Sequence, residues 1–289
     1  MRAVLLNGKP GLRWLTKKAA RKAFAVGSFA GRVRGRRSST GVHVLTYHHI
    51  GDDDPHDPFC VSRSDFDLHM AWLAERHLAI SLSQFEAFLA GRGTIPEDAI
   101  LVTLDDGLRS LYLDALPTLE RHGVPAVAFV SAGEMRPSNG SGTPVASRDP
   151  LSWSELATVA SSGMAIGSHA YTHRSLGRMP ADQVRDEVVR SRETLEQRLG
   201  RRVTTLAYPF GTRADYNHTV AAVCRESGYT CAFTSRHGAV RAGADPFTLP
   251  RVKVEGGEST WMFRLLCQGG LDGWRWVDRV LWRLQDSAR

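Results

Sequence analysis

An alternation constrains this chain more than any other feature. After residue 40, short apolar runs rich in β-branched residues exchange places with longer stretches whose apolar side chains recur every three or four positions. The strand-like runs are Val42 to Tyr47, Ala99 to Leu104, Ala126 to Val130, Met164 to Gly167, Val203 to Tyr208, Thr230 to Thr234 and Thr248 to Val254. Helix-like stretches lie between them. One begins at Ser64, read as its cap, with Phe66, Met70 and Leu73 on one face; Leu111 to His122 has Pro117 as an interruption and stops at Gly123. Trp153 to Ala160 is a third, and Val184, Val188, Leu195 and Leu199 form the stripe of a fourth, a surface helix ending at Gly200. Parallel strands need crossover connections, so strands separated by helices predict an α/β fold with the helices as cover.

Two polar elements stand where apolar runs end. Asp105-Asp106-Gly107 follows Leu101 to Leu104, and Ser168-His169-Ala170-Tyr171-Thr172-His173 follows Met164 to Gly167. One carboxylate and two imidazoles make a facial set of metal ligands that leaves positions open for water and substrate; a neighbouring carboxylate can act as a base. His169 and His173 are four apart, so one turn presents both rings to one point. Either element alone is an ordinary turn or loop. Together, each past a strand end, they point to a metal-assisted hydrolase, and a barrel places active residues at such ends.

These motifs resemble those of the polysaccharide deacetylase family, the NodB-type carbohydrate esterases, over Val42 to about Val254. Thr103-Leu104-Asp105-Asp106-Gly107 matches the first motif with Leu104 in place of an aromatic, and His169 to His173 matches the second. Tyr208-Pro209-Phe210-Gly211 resembles the third, and Leu249-Pro250-Arg251-Val252 the closing strand. The opening Leu45-Thr46-Tyr47-His48-His49 is similar to the exopolysaccharide deacetylase group. The resemblance implies an irregular (β/α) barrel of about seven strands that removes N-acetyl groups from amino sugars. It makes Asp105 the base and Asp106, His169 and His173 the ligands of Zn2+, or of Co2+, Ni2+ or Fe2+. Tyr208, Pro209, Phe210 and Gly211 would line the substrate, with a backbone N–H of that segment on the oxyanion.

This chain departs from the family pattern in two places. Ala207 stands where an arginine often orients the base, which leaves Arg251, on a strand whose end faces the same cavity, as the substitute. The motif that supplies a general acid has no clear match, and His48, His49 and His237 remain as proton donors, with His48 preferred. The alternatives to deacetylation are hydrolysis of another non-peptide C–N bond, as in a deformylase or amidase, and a catalytically weak carbohydrate-binding protein.

Charge divides the chain into residues 1–40, a basic N-terminal arm; residues 41–255, the catalytic domain; and residues 256–289, a tryptophan-rich tail. Of 37 basic residues eleven precede residue 41, where no Asp or Glu occurs, which leaves 26 basic against 30 acidic in the remainder. Within the arm, Trp14 to Val26 can form a helix with a cationic face suited to an anionic membrane surface; the competing readings are a disordered tail and a secretory signal. The tail holds four of seven tryptophans, and Trp274, Val277, Leu281 and Leu284 share a helical face that packs on its own domain or meets lipid. No run of 18 or more apolar residues predicts a transmembrane helix. The expected partners are an N-acetylated glycan or lipid-linked sugar and an anionic membrane, not nucleic acid, at the inner face of the membrane or in the cytoplasm. Asp52, Asp53, Asp54 and Asp57 read as a solvated acidic loop, and the four cysteines as buried thiols.

Overall fold

The computed structural model describes residues 18–27, 41–138 and 145–280. Seven strands form one parallel sheet: β1 His43–Tyr47, β4 Ile100–Leu104, β5 Ala126–Val130, β6 Ala165–Ser168, β7 Thr205–Ala207, β8 Cys231–Phe233 and β9 Val252–Lys253, in the spatial order β8-β7-β6-β5-β4-β1-β9. The sheet curls until its ends nearly meet. Leu249 bridges to Phe233 of β8, and three residues on, Val252 pairs with Leu45 of β1, so residues 249–253 span the gap. This is the irregular seven-stranded barrel expected from the sequence. A further pair, β2 His49–Ile50 and β3 Cys60–Val61, was not foreseen; at two residues each, no period can reveal it.

Strand parity sorts the core into two layers. In β4, Ile100, Val102 and Leu104 face the covering helices, while Leu101 joins Val127, Phe129, Ala207 and Phe233 in a second cluster on the other face, inside the barrel. Gly167 belongs to the inward set: a Cβ there would lie 2.4 Å from the Phe129 ring. The helices are α2 Arg63–Glu75, α3 Leu82–Leu89, α4 Leu116–His122, α5 Trp153–Ser161, α6 Ala181–Leu199, α7 His218–Glu226, α8 Thr260–Cys267 and α9 Arg275–Val280; residues 18–27 are also helical, here α1.

Local chemistry corrects several boundaries. The cap of α2 is Ser62, not Ser64: the Ser62 hydroxyl accepts from the Asp65 N–H at 3.0 Å. Pro117 opens α4 instead of interrupting a helix, because a π-helical turn, Leu111–Ala115, precedes it and a proline is tolerated in a first turn. Helix α3 had been missed although Ser81 and Gln84 form a capping box. Its Phe85 and Phe88 join the inner cluster.

The termini behave differently from a free arm and tail. In α1, Arg21 is 1% exposed and bonded to Glu255 and Glu258, and Phe24 meets Trp274 edge-on at 5.4 Å. Trp274 is buried and Val277 packs against the core, so that face of the tail turns to its own domain. Leu281 and Leu284 lie outside the described residues. The acidic loop is pinned: Asp53 and Asp57 both accept from Arg148 at 2.7 Å, and Asp52 accepts from Arg63 at 2.9 Å. Cys60, Cys224, Cys231 and Cys267 are free and buried. Among the described residues no helix is long and apolar enough to cross a membrane.

Candidate active site

Inward parity carries Leu101 and Thr103 on to Asp105, which sits at the top of the barrel interior and is 3% exposed. Arg251 rises from below to meet it. The sequence reading had it on the strand itself; it stands just before β9, and its length carries the guanidinium to the cavity. Nη1 and Nη2 donate to the two Asp105 oxygens at 2.7 Å each, Nη1 also reaches the Thr103 hydroxyl at 3.3 Å, and Nε donates to the Thr234 carbonyl. Burial pushes the Asp105 carboxyl up, but the charge of Arg251, that of His169 and the paired hydrogen bonds outweigh it and hold the group below its ordinary value. Asp105 is therefore a fixed anion.

Asp106 would follow the outward parity, yet it turns inward because its own φ is +70°. Gly107 continues the turn at +64°, where a Cβ would press on Val130 at 2.9 Å. Ala170, His173 and Phe210 also have positive φ, so four of the six non-glycine residues of this kind among the described residues lie in these motifs. Such strain persists where the surroundings over-determine it. Here it aims side chains: Asp106 Oδ1 lies 3.4 Å from His169 Nε2 and 3.2 Å from His173 Nε2. His169 Nδ1 lies 2.7 Å from the Ala207 carbonyl, which can only accept; Nδ1 therefore carries a proton, and it is Nε2 that titrates and faces Asp106, a donor when the ring is charged and a lone pair when it is not. Burial would raise the Asp106 carboxyl, but hydrogen bonds from the two histidines take it well below its usual range.

Glu187 of α6 supports this loop and was missed. Its carboxylate accepts the N–H groups of Tyr171 at 2.9 Å and Thr172 at 2.8 Å and the Thr172 hydroxyl, bracing the turn between the two histidines. Glu187 lies next to Val188 of the α6 stripe and is 5% exposed.

The structure separates the three candidate histidines. His49 is engaged by Asp53 at 2.6 Å and Ser110 at 3.0 Å, and His237 by Asp278 at 2.9 Å. His48 is the one beside the carboxylates: burial lowers its pKa to about 4, against the opposing pull of Asp106 and Asp105. Its ring packs edge-on against Phe59 at 4.8 Å, and its Nδ1 is buried with no protein partner.

The Tyr208 to Gly211 segment is divided. Tyr208 is wholly buried, stacks on Tyr216 and donates its hydroxyl to the Phe247 carbonyl, so its side chain does not line a substrate cavity. Its backbone N–H is bonded to Phe233 and that of Gly211 to Pro209, while Pro209 has none; the expected oxyanion donors at Tyr208 and Gly211 are thus committed. Phe210 is 39% exposed and packs edge-on against His173 at 4.9 Å, at the rim of the acid and histidine set.

Comparisons with known proteins agree with this geometry. The polysaccharide deacetylase family model matches residues 92–232. Poly-beta-1,6-N-acetyl-D-glucosamine N-deacetylase of Staphylococcus aureus is 22% identical over 206 residues, 68% of each chain. IcaB from Ammonifex degensii superposes with a TM-score of 0.66 at 25% identity, covering 81% of this chain and 98% of that one. The Streptococcus pyogenes deacetylase PplD shares the fold, with a TM-score of 0.69 at 21% identity over 80% of this chain and 99% of its own. With a barrel of this topology and both motifs at its strand ends, residues 92–232 are those of a polysaccharide deacetylase, a hydrolase of carbon–nitrogen bonds other than peptide bonds.

Proposed function

We propose that this protein is a metal-dependent N-deacetylase of amino sugars in a polysaccharide or lipid-linked glycan. The observation that carries the reading is the convergence of Asp106, His169 and His173, whose donor atoms lie within 4.8 Å of one another, beside a carboxylate clamped by Arg251. The donor set suits a divalent cation: an ionised Asp106 and a His169 whose tautomer offers Nε2. Zn2+ is the default for two imidazoles and a carboxylate, and Co2+, Ni2+ or Fe2+ suit the same donors. A cation held there would supply Lewis acidity toward a carbonyl oxygen and toward water.

The chain's own residues divide the remaining work. Asp105, anionic and held in one orientation by both Arg251 nitrogens, accepts a proton from the attacking water. His48 faces the same carboxylates and is the residue assigned to protonate the leaving nitrogen; neutral in the resting site, it delivers a proton only after taking one up. Phe210 borders the sugar, and Glu187 keeps the histidine loop in shape. The relative named for poly-beta-1,6-N-acetyl-D-glucosamine supports an N-acetylglucosamine polymer as the first substrate to try.

The test is acetate release from N-acetylglucosamine oligomers by the full chain, with metal and after chelation, for the parent and for Asp105→Asn. Loss in both arms supports the assignment. A protein that holds one metal ion yet frees no acetate from any acetylated glycan returns the site to another C–N substrate.

A further inference from the structure

Three of the seven large apolar side chains exposed among the described residues lie on the two terminal helices. Helices α1 and α9 lie on the flank of the barrel beside β9 and β1, linked through Trp274, which immediately precedes α9, and through His237. Lys18 donates to the Gly256 carbonyl just past β9, Arg21 to the Lys253 carbonyl, and Phe24 meets Trp274, whose neighbour Asp272 holds His43 at the start of β1. Asp278 of α9 is tied to His237, which lies 3.4 Å from Arg21. With their inner faces thus used, the pair turns outward three large apolar side chains: Val26 at 46%, Trp276 at 67% and Val280 at 51% exposed. Lys22, Arg275 and Arg279 are exposed around them. The only carboxylate on either helix, Asp278, faces inward.

We propose that this helix pair is a docking surface for an anionic lipid bilayer. A two-thirds exposed tryptophan costs free energy in water, whereas its amphipathic ring suits the headgroup region. Charge complementarity selects the occupant: residues 1–40 hold eleven Lys or Arg and no carboxylate, and their last part adjoins α1 in sequence. Basic side chains beside an anionic surface each strengthen partitioning by about fivefold. The sequence had weighed its own domain against lipid for the face of Trp274 and Val277; the structure gives that face to the domain, and Trp276 and Val280 are left exposed. None of the exposed residues belongs to the acid and histidine site, so the proposal does not depend on the deacetylase reading.

Co-sedimentation of the full chain with phosphatidylglycerol–phosphatidylcholine vesicles, against pure phosphatidylcholine, tests it. The expected result is binding to the anionic vesicles that weakens with salt, and a loss of about tenfold or more in Trp276→Ser/Val280→Ser, as for removal of buried apolar side chains. Arg275→Glu/Arg279→Glu, which leaves the apolar pair intact, should lose binding as well. An unchanged thermal midpoint verifies that each variant folds. No sedimentation with anionic vesicles overturns the proposal, and so does a Trp276→Ser/Val280→Ser protein that sediments as the parent does. Duplex DNA bound more tightly than vesicles, and equally by that variant, replaces a lipid surface with a nucleic-acid one.

Discussion

Arg251 and Arg21 are both buried arginines facing carboxylates, 3% and 1% exposed, yet they solve different problems. Arg251 meets one carboxylate with two matched bonds of 2.7 Å, and Thr103 and Thr234 engage the same side chain. Arg21 faces two, Glu255 at 3.3 Å and Glu258 at 3.2 Å, shares His237, and its buried Nε has no partner. A planar fork matched to one carboxylate fixes position; a fork spread over two balances charge without fixing geometry. The first arrangement is what a base needs. The second ties α1 to the chain beyond β9.

The sharpest way to break the comparison is Asp105→Asn. The amide keeps the shape, removes the proposed base and leaves Arg251 facing a neutral group, so acetate release should fall by about 10²–10⁴-fold with the barrel still folded, as judged by circular dichroism. Retention of more than a tenth of the activity would mean that Arg251 clamps a structural carboxylate.

Arg251→Ala tests the stability side of the same pair. Removing one partner of a buried pair strands the other charge, at a cost of about 3–5 kcal/mol. The pH dependence fixes the sign. Because the folded-state value of Asp105 is depressed, its contribution is present above the unfolded carboxyl value and lost as pH falls through the folded one. Without Arg251, burial is opposed only by the neighbouring histidines, and the Asp105 contribution near neutrality shrinks. Urea unfolding should therefore show the widest gap between parent and variant near neutrality and a narrowing gap in acid.

Arg21→Ala should cost less, about 1–3 kcal/mol, the range for leaving a buried polar or charged group unsatisfied. Glu258 can take up a proton, and α1, at the periphery, can loosen and admit water. The variant should lower the urea midpoint while leaving acetate release at 25 °C as in the parent. An equal loss of activity would place α1 in the support of the site.

The two arginines also differ in how far the sequence discloses them. Asp105, Asp106, His169 and His173 were legible because their spacing is local and each follows an apolar run whose end a barrel turns toward its mouth. Arg251 was reachable only through the family resemblance, which implies an arginine where this chain has Ala207. Arg21 was illegible: it sits in a basic run, and its partners Glu255 and Glu258 are more than 200 positions away, where only the folded chain brings them near. Glu187 was hidden for a related reason. Its helical stripe is read from the apolar side chains around it, and nothing in that period records that two backbone N–H groups of another segment converge on one carboxylate.

The smallest expected effect has the opposite sign. Glu258 is 4% exposed, and burial raises its carboxyl; Arg21 pulls the other way, but Arg21 is shared with Glu255, whose charge repels. A raised folded-state value means a contribution that is full below the unfolded value and lost as pH rises through the folded one, so at neutral pH the ionised Glu258 weakens the fold. Glu258→Gln removes that surplus charge and leaves Arg21 one carboxylate, nearer the one-to-one balance of Arg251 and Asp105. The thermal midpoint at pH 7 should rise, by about 2–4 °C for each kcal/mol recovered, and the gain should vanish near pH 4, where the parent's Glu258 is already protonated. A fall in the midpoint at pH 7 would show that Arg21 needs both carboxylates, and that spreading one guanidinium over two acids is a stabilising design in its own right.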